Sequence, residues 1–448
     1  MTTSPVEADE AAEKPATRTW LSIAKALLLF AVSCLVTFQL EHYAEDVLRR
    51  GEGPAGVSQT VFGVSGAYTA LVTTPQYLVT RRTLLIPIDP ASDPTAAGLA
   101  GNICEQRKYV TDMLRALAAL DKKPLAIVLD KDFGVGACST YGPADPTSKL
   151  IETAAEVSKT IPVIVSVIAT GQKSNVEGAA GVIAPSLVFG PTVSEGISHF
   201  PEDSNKLALG WNMFDEKTNR LRWYSSVALE AAAAVENRIF QKNPSLKGLM
   251  ESGQSPYMNL IPPGRIDVLF AAELICQPGA SWFKGLLPER CKRFEEVKRS
   301  NPAFTSDSPV TRDYIRGKVV VVGERGLGFD RHNTALGSIA GLELQAMAIE
   351  ALLAESYFMP VPYWLNLILG FLLFALVHWS LMHPKSLICI VRLLVVLAAF
   401  TIIVGVAARV FHIYITPAAG LLAMVLKLVG WVGERLGKLG ESHATVEA

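Results

Sequence analysis

The chain has 448 residues, and its 41 Lys and Arg against 42 Asp and Glu leave a formal net charge of −1. Only 19% of residues are charged and the mean hydropathy is +0.30, which argues against an ordinary soluble protein. With no basic face there is no electrostatic handle on nucleic acid, and disorder is excluded except at the termini.

Residues 1–19, acidic and Ala-rich, read as a tail. Segment 20–40, WLSIAKALLLFAVSCLVTFQL, is long enough to cross a bilayer, and its one charge, Lys25, sits near the start, where a long side chain reaches the headgroups. No small-residue cleavage site precedes the charged run EHYAED, so this span reads as an uncleaved anchor.

From residue 41 to 362 the pattern is that of an α/β domain. Short apolar runs bounded by turn residues predict strands at 84–88, 125–129, 162–167, 185–189 and 318–322. Helices are predicted over 105–120, where Tyr109, Val110, Met113, Leu114 and Leu117 share one stripe, and over the Ala-rich 225–239. Strands that alternate with helices imply a mostly parallel sheet with helices on its faces, while 221–226 and 257–262 are expected as added strands at an edge.

Three further apolar segments close the chain, 363–382, 387–408 and 413–431, with only Arg392, Lys427 and His378 as polar interruptions, and 432–448 is a second tail. Lys14, Arg18, Lys25, Lys385, Arg392, Lys427, Arg435 and Lys438 fall on one side of the membrane if both termini are cytoplasmic. Arg49, Arg50 and Arg409 count against this. The expectation is a multi-pass protein of the plasma (inner) membrane, with both tails cytoplasmic and 41–362 extracytoplasmic.

An even number of cysteines in an oxidising space predicts pairing. Cys104 opening a helix after one strand and Cys138 following the next strand would meet at the same sheet edge of a βαβ unit. Cys276 and Cys291 flank a short stretch and form the second expected pair. Cys34 and Cys389 lie within spans. Four buried free thiols are the alternative.

In open α/β sheets, ligands bind beyond the carboxyl ends of strands. The polar residues there are Asp89, Asp130, Asp132, Glu324 and Arg325, followed by Asp330 and His332. Asp89, Asp130, Asp132, Arg325 and Asp330 form the candidate ligand-binding set, able to take a cation through the acids or an anion through Arg325. The same acids would also cap helices or close turns. No metal spacing, G-x-S-x-G elbow or H-E-x-x-H motif is present, so neither a metal, a cofactor nor a catalytic residue is assigned. GERGLG, with Gly323, Gly326 and Gly328, has the order G-x-x-G-x-G and reads as a loop shaped by positive φ rather than a nucleotide site. His199 and His332 read as structural.

RRTLLIPIDPAS, LAIVLDKDFG, VALEAAAA and above all RGKVVVVGERGLGFDRHNTALGSIAGLELQAMAIEALL resemble the CHASE type-two domain, the second class of extracellular sensors named for cyclases and histidine kinases. The resemblance covers most of 41–356. Its motif of an Asp, a Thr-x-x-Gly turn and a Gly-Leu-Glu helix is matched here by Asp330, Thr334, Gly337, Gly341 and Glu343. The chain departs from it at Thr334-Ala335, where Thr-Pro is usual, and at Asp89, which Pro90 follows in place of a second acid. The one-plus-three arrangement of spans is also similar to that family, in which a cytoplasmic effector normally follows. Here GERLGKLGESHATVEA runs to Ala448.

The resemblance therefore implies a bacterial membrane sensor or receptor subunit, not an enzyme, whose partners are the bilayer and a separate signalling protein. Sensors of this layout often work as homodimers, although no heptad seam in 20–50 or 345–360 shows one. An extracytoplasmic enzyme and a structural or transport-accessory membrane protein are the alternatives.

Overall fold

The computed structural model describes residues 23–37, 39, 82–88, 96, 99, 102–131, 133–134, 138, 145–167, 169–170, 179, 181–183, 187–198, 206–215, 218–237, 239–242, 244–252, 255–258, 266–269, 274, 315–324, 331–334, 337–382, 386–415 and 418–444. They fall into two compact units, one within Gln59–Phe358 and one within Met1–Ser58 and Met359–Ala448. In the second unit, helix α1 covers Ile23–Thr37.

The first unit is built on β1 (Thr83–Ile88), β2 (Ala126–Asp130), β3 (Val163–Val167), β6 (Ser194–Ile197), β10 (Asp267–Val268) and β11 (Val319–Glu324). They form one sheet in the order β10-β1-β11-β2-β3-β6, every neighbouring pair parallel. TLLIPI and VVVV are buried on both faces, which is why they read as unbroken apolar runs rather than alternating ones. Pro87 sits in β1 without disturbing the ladder. Leu85 accepts a bond from Leu269 N–H, so Leu85 and Pro87 face the β10 side, and pairing with β10 ends at Leu85.

Helices α2 (Ile103–Ala119) and α3 (Pro146–Ser158) cover one face. Their Tyr109, Met113, Leu117, Leu150 and Val157 pack with Leu84, Ile86, Ile127, Leu129, Val163, Val320 and Val322, the alternate residues of the strands. Helices α4 (Val227–Val235) and α7 (Gly341–Leu353) lie against the sheet as well, α4 on β2, β3 and β6 and α7 on β1 and β11, and they pack on each other. Three of these helices start where a polar side chain captures free N–H groups: Asn102 accepts from Glu105 N (3.2 Å), Asp145 from Thr147 and Ser148 N, and Ser226 from Leu229 N (3.1 Å), whereas α7 follows Ala340 with no side-chain cap.

A second, four-stranded sheet is made of β4 (Ala169–Thr170), β5 (Gly181–Ile183), β7 (Gly210–Asp215) and β8 (Arg220–Ser225). Short helices α5 (Ile239–Lys242) and α6 (Pro244–Ser252) precede β9 (Tyr257–Met258), which pairs antiparallel with Tyr357 and Phe358 of β14 (Tyr357–Pro360). β12 (Arg331–Thr334) and β13 (Gly337–Ala340) form a hairpin in which Thr334 and Gly337 are partners, and α7 follows it directly.

Three expectations are corrected. Leu187, Val188 and Phe189 form no strand; Phe189 instead turns into the core against Phe133, ring centroids 5.6 Å apart, and the strand at this point is Ser194–Ile197. Residues 221–226 and 257–262 are not added edge strands of the main sheet: Arg220–Ser225 is instead paired along its length with β7 and meets the edge of the main sheet through an isolated parallel bridge from Ser226 to Ile197 of β6, while Tyr257–Met258 pairs with β14 and 259–262 lie outside the described residues. Gly323 is no positive-φ loop residue but the fifth residue of β11. A Cβ there would stand 2.4 Å from Asp130 O and 2.7 Å from Leu342 Cδ1, so the position needs glycine for close approach.

In the second unit, α1 is followed by α8 (Tyr363–Leu381), α9 (Ser386–Phe411), β15 (Ile413–Tyr414) and α10 (Ala418–Ala444). Two stretches, Trp364–Leu381 and Leu387–Ala408, are long and apolar enough to cross a membrane, while Ile23–Thr37 and Gly420–Gly433 are shorter apolar helices. The last helix starts at Ala418 and not at 413, because Ile413 and Tyr414 pair with Met359 and Pro360. Phe30 of α1 packs on Phe371 and Phe374 of α8, centroids 5.2 and 5.7 Å away. At the crossing of α8 and α10, an added Cβ on Gly420 would lie 2.4 Å from Gly370 O, so two backbones meet with no side chain between them.

Candidate functional site

The carboxyl edge of the parallel sheet is where strand order reverses. The chain runs from β1 outward to β2, β3 and β6, then returns to place β10 on the far side of β1 and β11 between β1 and β2. Such a reversal opens a crevice beyond the strand ends. Ile88 is in register with Glu324, and Gly323 with Asp130, so the ends of β1, β11 and β2 lie side by side.

Of the predicted set, half-buried Asp130 closes β2 at this edge. Asp89, Asp132, Arg325 and Asp330 lie outside the described residues, as do Cys276, Cys291 and His199. His332 is in β12, half-exposed. Next to Asp130, the nearly buried side chain of Lys131 makes an ion pair with Glu324, which reaches it from β11. The edge thus joins a cation and two carboxylates on adjacent strands, a polar cluster above an apolar sheet. Lys131 carries no signal in the sequence beyond following a strand-end acid.

Beyond β2 the chain is fastened to α2. Cys104, the second residue of that helix, is bonded to Cys138, with Cα atoms 5.7 Å apart and a sequence separation of 34. In the chain-entropy account, closing a loop of this length stabilises the fold by about 4 kcal/mol. Arg107, 1% exposed, lies one turn further along the helix. Its Nη2 donates to Gly134 O (2.6 Å), and its Nη1 donates to Thr147 Oγ1 (2.6 Å) and to Cys138 Sγ (3.4 Å). Burial pulls the guanidinium pKa down and the charge of Asp145 pulls it back up; an arginine stays charged regardless. Hydrogen bonds from Thr147 N–H, and then from Ser148, hold the Asp145 carboxyl below its usual range.

Helix α7 runs back from this edge to the opposite one. Leu342 touches the Gly323 position, Gln345 Nε2 donates to Ser198 O (2.8 Å), and Ser198 Oγ is bonded to Ser166 Oγ (2.7 Å). At the far end Glu350, 2% exposed, accepts from Arg82 N through both carboxylate oxygens (2.8 and 2.7 Å) and from Thr83 Oγ1 (3.0 Å). Burial raises the Glu350 pKa, and these hydrogen bonds only partly offset it. All thirteen residues of α7 are buried, Glu343, Gln345 and Glu350 included. Sequence reasoning passed over Glu350 and Gln345. The available signal was a few polar residues set in an otherwise apolar helix.

The motif carrying the family resemblance therefore occupies a definite place: the β12–β13 hairpin holds Thr334 and Gly337, Gly341 opens α7, and Glu343 is buried in its first turn. No curated protein and no solved structure matches the chain. The family model of the CHASE2 domain matches residues 24–380, most of the chain, including the α/β unit, nearly all of α1 and nearly all of α8. A parallel α/β sheet bearing that motif, matched over this length, makes the chain a member of the CHASE2 domain family of extracellular sensory domains.

Proposed function

We propose that the protein is a multi-pass membrane sensor, with 41–362 extracytoplasmic, spans at 20–40, 363–382 and 387–408 and a fourth span within the last helix, Ala418–Ala444, that reads a signal at the carboxyl edge of its sheet and passes it to a separate signalling protein. The observation that carries this reading is α7, which begins at Gly341, packs Leu342 against Gly323 on the carboxyl edge, is buried throughout, and is anchored at the amino edge by Glu350. Between Leu353 and the first residue of α8, Tyr363, there are nine residues (362 − 353). A shift of the strand ends moves a stiff element whose chain enters an apolar helix almost at once. Asp89, Asp130, Asp132, Arg325 and Asp330 form the ligand-binding set in this reading, the domain performs no turnover, and the output is a change in contacts in or under the membrane.

Topology is tested by fusion. Alkaline phosphatase joined after Gly51 is expected to be active, and joined after Pro384 or Gly440 inactive, as the Lys and Arg distribution requires. Activity at Gly440 would overturn the four-span arrangement.

The ligand face is tested separately on the full chain in lipid discs, by thermal shift against metal salts, small anions and periplasmic extract. A saturable shift in wild type that is lost in Asp130→Ala or Asp330→Ala is the expected result. No shift with any of these, together with unchanged signalling when both acids are replaced, would remove the ligand set and leave contact with another protein as the sensing event.

A further inference from the structure

The geometry points to the Cys104–Cys138 disulfide as a thiol–disulfide exchange site, at which an external dithiol attacks Cys104 and Cys138 departs as a thiolate held by Arg107. The two sulfurs are not equivalent. Cys104 is half-buried at the start of α2, whereas Cys138 is 3% exposed, so an incoming thiolate meets Cys104 first. The leaving sulfur is the one touched by a buried guanidinium, Arg107 Nη1 at 3.4 Å, and a thiolate leaves faster as its conjugate acid is made stronger. Cys104 itself sits second in a seventeen-residue helix, where free N–H groups and the helix dipole also favour a thiolate. Both products of reduction are thus stabilised by fixed positive charge or dipole, which is the environment of exchangeable disulfides and not of inert ones.

The step balances as follows. One sulfur of the dithiol, as thiolate, bonds to Cys104 Sγ while the Cys104–Cys138 bond breaks, and its electron pair goes to Cys138. The second sulfur of the dithiol then closes on the first, releasing Cys104. The dithiol is oxidised to its cyclic disulfide, the protein gains two electrons, and the two thiol protons of the dithiol are shared between the released cysteines and solvent. Reduction unfastens Cys138, beyond the end of β2, from the start of α2. It therefore acts at the edge proposed above as the signal face, yet it does not depend on any ligand binding there.

The test uses the full chain in lipid discs with dithiothreitol as the dithiol. A monothiol, 2-mercaptoethanol, traps the intermediate for peptide mass spectrometry. The adduct is expected on Cys104, with Cys138 free to alkylate. An adduct on Cys138, or equal amounts on both, would overturn the proposal. Arg107→Met is expected to slow reduction about tenfold and to make the bond harder to reduce by about tenfold in equilibrium constant, near 30 mV for two electrons, with Arg107→Lys intermediate. Unchanged rates in a folded Arg107→Met protein would also overturn it. Because a buried arginine is being replaced, a second measurement leaves Arg107 in place. In Cys104→Ser, thiolate absorbance, taken as the difference from Cys104→Ser/Cys138→Ser, should titrate at least about one unit below the ordinary cysteine value near 8.5. Titration at or above that value would mean burial outweighs the guanidinium, and the assignment of Cys138 as leaving group would fall.

Discussion

Glu350→Ala should lower the stability of the folded protein by about 3 kcal/mol, read as the free energy of chemical denaturation in detergent. The size follows from what is stranded. Arg82 N–H and Thr83 Oγ1 both donate to this buried carboxylate, and alanine leaves the donors facing a void at the start of β1. Glu350→Gln keeps one acceptor oxygen and the shape, so its loss should be nearer about 1 kcal/mol. The pH dependence separates the two variants. Because burial raises the folded-state pKa of Glu350, the folded state holds its proton to higher pH than the unfolded chain does. Stability from this group is therefore greatest at and below the ordinary glutamate range, and falls as pH rises from there through the raised folded value. In Glu350→Gln that part of the slope should vanish. A slope unchanged in Glu350→Gln would show that another group sets it.

Gly323→Ala should cost on the order of 1–3 kcal/mol or more and loosen β11 from β2. One of the two collisions is with the side chain of Leu342, the other with the backbone oxygen of Asp130. A side chain can turn aside; a ladder carbonyl cannot. Leu342→Ala added to Gly323→Ala should thus recover only part of the loss, and hydrogen exchange should rise at the paired amides of β2 and β11. Full recovery in the double variant would mean that the strand spacing gives way easily at this point.

The parallel core was legible because strands buried on both faces are written as uninterrupted runs such as VVVV, and because α2 shows its stripe of Tyr109, Met113 and Leu117 at helical spacing. What could not be read was strand order. Nothing in Val319–Glu324 says that it enters between β1 and β2, since that position is decided by which faces remain uncovered after the other elements have packed. The run at 185–189 failed for a related reason: Phe189 is apolar because it fills a hole beside Phe133, not because it belongs to a ladder.

At the site, Asp130 was legible as an acid at a strand end, while its neighbours were not. Arg107 sits in EQRKYV, which looks like the solvated side of an amphipathic helix, yet it is buried, with Gly134 O, Cys138 Sγ and Thr147 Oγ1 taking up its donors. Lys131 and Glu324 lie far apart in sequence and become neighbours only through the insertion of β11.

Pro87 has a consequence for the company the domain keeps. An exposed sheet margin offers a row of donors and acceptors on which a stray extended peptide, or another copy of the chain, can zip up. On the β10 side of β1 that row is interrupted twice. Only Leu84 and Leu85 pair with β10, and two residues on, where the next amide hydrogen should point outward, the pyrrolidine ring supplies none. Asp267 adds a charge held by Lys318 at 2.7 Å on the same border. Pro87 is itself buried, and a segment extending along β1 there would find a carbonyl without its matching N–H beside an occupied ion pair, so the ladder on this side cannot be prolonged past Leu85.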